Sequence, residues 1–137
     1  MYNEILLAAD GSENSFRAAE ESLNFIHEDS VVTILNVINS NEIKKDVLHQ
    51  KSSEGLKTKR KKKLSKIIEL YKEQNIHYEL YFEYGIPDET VVSFANNGPF
   101  QLVVLGSRGL NSFQEMVMGS VSHKVVKRVK KPVIIVK

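Results

Sequence analysis

Leu102-Val-Val-Leu-Gly-Ser-Arg-Gly109 is the stretch that decides the fold. Four consecutive apolar residues read as a strand buried on both faces, which is the habit of a parallel sheet covered by helices. Glycine follows at once, at Gly106 and again at Gly109, and after nine intervening residues Gly119 and Ser120 open a helix-like segment. A glycine lets the backbone turn sharply and approach a ligand with no Cβ in the way. A helix start offers unpaired N–H groups and the positive end of its dipole. Together they predict an anion site suited to the phosphates of a nucleotide.

Outward from this stretch, short apolar runs alternate with helical stretches. Ile5-Leu-Leu-Ala-Ala9 reads as a strand ended by Asp10-Gly11-Ser12, and Ser12 or Asp10 can cap the helix that follows. Phe16, Ala19, Leu23 and Ile26 give that helix one apolar face. Val31-Val-Thr-Ile-Leu-Asn-Val-Ile38 is a second strand, rich in β-branched residues. Residues 41–75 form a long segment whose second half is helical through Leu64, Ile67, Ile68 and Tyr71; its first half reads as loop, helix or both. Tyr78-Glu-Leu-Tyr-Phe82 is a third strand, and Gly85-Ile-Pro87 a turn into a short helix facing inward through Val91, Val92 and Ala95 and stopped by Gly98. The last helix starts near Ser120, carries Val121, Val125 and Val129 inward, and ends in a cluster of cations before Pro132. Val133-Ile-Ile-Val136 is a fifth strand. Five strands separated by helical stretches mean βαβ crossovers and a parallel sheet with helices on both faces.

Composition bounds what such a fold can do. The chain has 137 residues, which predicts one domain over 1–137 with a real core. Cysteine is absent, which excludes disulfides, thiolate metal sites and cysteine nucleophiles. The four histidines, His27, His49, His77 and His123, stand at no metal-ligand spacing. Net charge is +2, too small by itself to mark a nucleic-acid binder. The first residues lack the basic and apolar regions of a signal peptide, and no apolar run has membrane-spanning length, so a soluble, cytoplasmic protein is expected. Val133–Val136 is apolar on both faces; at a sheet edge it would expose unpaired backbone groups, which favours a homodimer through this strand.

Over its whole length the chain resembles the universal stress protein family, the small α/β proteins related to UspA. The resemblance rests on Ala9-Asp10-Gly11-Ser12 after the first strand, on Gly85-Ile-Pro87, and above all on Gly106-x-x-Gly109-x(9)-Gly119-Ser120, which matches the signature of the ATP-binding branch. It implies a Rossmann-like, adenine nucleotide alpha hydrolase-like sheet of order 3-2-1-4-5, dimeric through the final strand. Strands one and four would then be neighbours with a crevice at their carboxyl ends.

The resemblance also assigns residues. Gly106 and Gly109 would wrap phosphates, and Ser120, with the N–H groups of Val121 and Ser122, would hold phosphate at the helix start. Arg108 either contacts phosphate or points into water. Asp10 lies near the ribose and could hold Mg²⁺ or Mn²⁺; read from the residues alone, it caps the first helix. Val37 matches a position that packs on adenine, and Ala8 and Ala9 the backbone beside the base. Two positions depart from the family pattern: Gln101 stands where Asp is frequent, and Asn36 where His is frequent.

The basic run at 57–63 reads as a solvated helix face, with Arg60 directed inward unless its stem snorkels. No interleaved aromatics support base stacking, so a nucleic-acid partner is not expected. The sequence carries no Gly-x-x-x-x-Gly-Lys-Ser/Thr loop and no kinase catalytic set. The expected function is therefore that of an ATP-binding stress-response regulator, a conformational or partner switch with little or no hydrolysis. The alternatives are a weak Mg-dependent ATPase and a nucleotide-free dimeric interaction module.

Overall fold

The computed structural model describes residues 2–39, 53–109 and 119–137. Five strands form one parallel sheet in the order β3-β2-β1-β4-β5: β1 Glu4–Ala8, β2 Val31–Asn39, β3 His77–Gly85, β4 Leu102–Gly106 and β5 Val133–Val136. The helices are α1 Glu13–Ser22 (continued by a 3₁₀ turn, Leu23–Phe25), α2 Ser53–Lys63, α3 Ser65–Glu73, α4 Pro87–Asn97 and α5 Ser120–Arg128. This is the sheet order that the resemblance implies.

The central strand divides the core in two. Ile5, Leu7 and Ala9 face α1 and α3, where Ala18, Ala19, Leu64, Ile67, Ile68 and Tyr71 are buried. Leu6 and Ala8 face α4 and α5, packing with Val91, Ala95 and Val125. Alternate residues of one strand thus serve two layers, which is why β1 is apolar without interruption. β3, at the opposite edge from β5, alternates instead, with Tyr78, Leu80 and Phe82 packed inward.

Three elements differ from the sequence expectation. α1 buries Ser15, Ala18, Ala19 and Ser22, while Phe16, Leu23 and Ile26 only pack at the margin. Small side chains on the inner face let the helix approach the sheet closely, so the larger apolar residues are displaced to the flank. The long helical segment breaks at Leu64, between α2 and α3, and residues 40–52 of its first half lie outside the described residues. At α5 the N-cap is Gly119, with extended backbone, and Ser120 is already the first helical residue. The helix also ends at Arg128, before the cation cluster is complete, because Val129 is extended.

The inner face of α1 is tied to α3 by a buried bond. Ser22 Oγ and the Tyr71 hydroxyl of α3 lie 2.7 Å apart. Burial is the main influence on this phenol and pushes its pKa well above the ordinary value near 10, against a smaller lowering by Ser22. The folded protein therefore keeps this proton where the unfolded chain releases it, so stability is full below about pH 10 and falls as pH rises beyond it. In urea titrations between pH 7 and 11, Tyr71→Phe should cost roughly 1 kcal/mol at neutrality and show a shallower alkaline loss than the wild type. Parallel alkaline slopes for the two proteins would refute this account.

Candidate functional site

β1 and β4 lie side by side, and their crossovers, through α1 to β2 and through α5 to β5, leave toward opposite edges. A crevice opens at their carboxyl ends. It is a cleft of about 550 Å³, and Ala8, Ala9, Asp10, Val37, Gly106, Arg108, Gly109, Gly119, Ser120, Val121 and Ser122 all line it. Every site residue expected from the sequence is thus gathered at one place, though positions as distant as 8 and 122 supply them.

The two ends of the cleft differ chemically. Toward β2 and α4 it is apolar, with Leu35, Val37, Pro87 and Val91. Toward β4 and α5 it offers Gly106, Gly109, Arg108 and the start of α5. Asp10, at the end of the central strand, stands between them. Its Oδ1 accepts the Ser12 N–H at 3.0 Å, while Ser12 itself caps α1 through its Oγ, 3.1 Å from the Ser15 N–H.

The glycines do different work. A Cβ on Gly109 would clash with Asp10 Oδ2, so this glycine lets the loop close onto the carboxylate. A Cβ on Gly106 would lie 2.7 Å from Asn14 Cβ and 2.8 Å from the Asn14 carbonyl carbon. Gly106 therefore serves the packing of α1 on the end of β4, beside any role toward a ligand. Gly119 has no side chain to cap α5, so the first-turn N–H groups of Ser120, Val121 and Ser122, three residues that line the cleft, have no intrahelical acceptor.

Ser107 holds the glycine loop in place. Its N–H donates to Val136 O at 2.8 Å, and its carbonyl accepts both the Gly119 N–H and the Ser122 hydroxyl at 2.8 Å. Its own Oγ accepts from Asn14 Nδ2 at 3.3 Å. One buried residue thereby joins α1, β5 and α5, and the Ser122 hydroxyl is committed to this network. Arg17 extends it, donating to the Asn14 side chain and, at 3.0 Å, to the Lys137 carbonyl.

Sequence reasoning passed over Asn14 and Ser107, whose partners lie 93 positions apart. It also passed over Arg60 and Lys63 of α2, which line the cleft. Arg60 does turn inward, at 6 % exposure. The two departures from the family pattern stay off the cleft wall. Gln101 Oε1 accepts the N–H groups of Asn3 and Glu4 at 2.6 and 3.2 Å, at the amino end of the sheet. Asn36 donates to the Ala9 carbonyl at 2.8 Å and so ties β2 to the strand that floors the cleft.

A second hollow, of about 650 Å³, lies between β3 and α4 toward the amino ends of the strands. Its walls carry Glu4, Glu79, Glu83 and Glu89, whose carboxylates would repel phosphates. Volume favours this hollow, but its charge disqualifies it as a nucleotide site.

Fold and cleft together define a small α/β protein with a crevice at the carboxyl ends of its central strands. The universal stress protein family profile matches residues 1–137, and the chain belongs to that family. Universal stress protein YxiE of Bacillus subtilis is 30 % identical, with the whole of both chains aligned. Universal stress protein MJ0577 of Methanocaldococcus jannaschii is 31 % identical over all of this chain and 96 % of its own length. The solved structure of MJ0577 superposes with a TM-score of 0.79 at 30 % identity, covering 100 % of this chain and 96 % of the other. A family member from Arabidopsis thaliana with AMP bound shares the fold, with a TM-score of 0.67 at 20 % identity over 98 % and 91 % of the two chains. Among the described residues no helix is long and apolar enough to cross a membrane.

Proposed function

We propose that the cleft binds ATP and that the protein is a nucleotide-dependent switch with little or no hydrolysis. The observation that carries this reading is the meeting of an apolar end and a glycine-rich, N–H-rich end in one cleft of about 550 Å³, on either side of Asp10. The apolar end suits a base beside Val37. The other end suits phosphates, held by backbone donors at Gly106 to Gly109 and at the start of α5, with Arg108 adding charge. The AMP-bound relative from Arabidopsis supports a nucleotide in this fold.

The residues also suit a divalent ion that arrives with the nucleotide. Mg²⁺ or Mn²⁺ would neutralise part of the phosphate charge, and Asp10 is the carboxylate placed to share it. Among the described lining residues the ionisable groups are Asp10, Arg60, Lys63 and Arg108, with no histidine or glutamate to serve as a general base beside that aspartate. That set favours binding over turnover.

The test is to denature freshly purified protein without added ligand, identify any released nucleotide by chromatography, and titrate the apo form with Mg-ATP by calorimetry. Near-stoichiometric ATP, or saturable heat, supports the reading. Neither one would move the function to the nucleotide-free module. Phosphate release followed in the same sample separates the switch from a weak ATPase.

The switch is also proposed to be a homodimer through β5. Among the described residues this strand pairs only with β4 and lies at the sheet edge. Bonds from the Val103 N–H to Pro132 O (2.9 Å) and from the Ser107 N–H to Val136 O (2.8 Å) turn alternate residues of β5 toward β4. The N–H and C=O groups of Val133 and Ile135 consequently face the open edge. Ile135→Pro removes one outward donor without breaking the β4 ladder. By sedimentation velocity it should be monomeric where the wild type is dimeric; a monomeric wild type would overturn this assembly.

A further inference from the structure

The basic helix α2 is not a uniformly solvated surface. Lys59, Lys61, Lys62 and Lys63 are exposed, yet Arg60 is buried, and Arg60 and Lys63 both reach the wall of the cleft. Spaced three apart, they share one face of α2.

Lys63 is seated against the loop beside Asp10. A Cβ on Gly11 would lie 2.9 Å from Lys63 Cβ and 3.1 Å from its carbonyl oxygen, so the end of α2 rests directly on the loop that follows Asp10. Gly11 has a φ of +88°, a backbone conformation that glycine adopts freely. Gly109 touches Asp10 in the same way, through the vacant Cβ position. Lys63 and the glycine loop therefore flank one short segment, Asp10-Gly11. With Arg108, the described walls carry three cations against one carboxylate.

Lys63 and Arg108 leave this wall cationic. It is matched to a ligand with several negative charges. AMP brings about two charges and a cyclic monophosphate one, whereas a nucleoside triphosphate brings up to about four.

Building on the nucleotide reading above, we propose that Arg60 and Lys63 make the cleft count phosphates, selecting nucleoside triphosphates over AMP and cyclic monophosphates. Arg60 stiffens the wall, and Lys63 supplies a mobile charge to the outer phosphates. The basic run at 57–63 thereby belongs to the nucleotide site and not to a nucleic-acid surface.

The experiment is calorimetric titration of the wild type, Lys63→Met, Lys63→Arg and Arg60→Met with ATP and with AMP at one ionic strength. Lys63 is exposed, so its replacements should fold normally, whatever Arg60→Met does. The ratio of ATP to AMP affinity should fall about tenfold in Lys63→Met and be largely restored in Lys63→Arg. An unchanged ratio in Lys63→Met, with ATP still bound by the wild type, overturns the proposal and leaves the nucleotide reading standing. Failure of the wild type to bind ATP overturns the nucleotide reading itself.

Discussion

Gly119→Asp should weaken ATP binding by about a hundredfold or more while leaving the fold intact. Gly119 is the N-cap of α5 and lines the cleft, with φ −63° and ψ 162°, a conformation open to any residue. Aspartate is among the best N-caps, so the helix should gain slightly. The same carboxylate would stand where the dipole and the first-turn N–H groups attract phosphate. At 4–5 Å and an effective dielectric constant near 20, one such repulsion is worth about 3–4 kcal/mol. Calorimetric titration beside a thermal melt checks both halves. An affinity within about threefold of wild type, with an unchanged melting temperature, would remove the phosphates from the start of α5.

Gly106→Ala should have the largest effect on stability. Its new Cβ would lie 2.7 to 2.9 Å from the Cβ, carbonyl carbon and carbonyl oxygen of Asn14. Two of those atoms are backbone, and no rotamer change moves them; α1 must back away from β4. Overpacking of this kind costs about 2–3 kcal/mol, and the melting temperature should fall by roughly 10 °C. Displacing Asn14 also disturbs its bond to Ser107, so nucleotide affinity should fall with stability. A variant as stable as the wild type would mean that the contact between α1 and β4 is slack.

Gly106 also shows how far a sequence can be read. The strands were legible because parallel strands buried on both faces must be apolar throughout, and the order of runs then leaves few topologies. The glycine-rich end of the cleft was legible because glycine spacing and a helix start are local features, whereas the places of Ala8, Ala9 and Val37 came from the family resemblance. What escaped depends on distance in space. Whether Gly106 serves a ligand or a helix is decided by Asn14, which only the sheet order brings alongside. Lys63 read as surface because its neighbour Gly11 comes from another crossover, and for Arg60 the inward direction was legible but the cleft it lines was not. The start of α5 near Ser120 was legible too, and the backbone assigns the cap to Gly119, whose lack of a side chain hides that role in the sequence.

Ser107 bonds to the edge strand through its N–H and to the first turn of α5 through its carbonyl. The cleft and the edge strand are therefore joined through a single residue. Occupancy of the cleft and pairing along β5, where both occur, are then linked equilibria. Any free energy by which ligand tightens the pairing must return, undiminished, as tighter binding of ligand in the paired form. Cellular nucleotide level and protein concentration would enter that balance on the same footing, each able to stand in for the other.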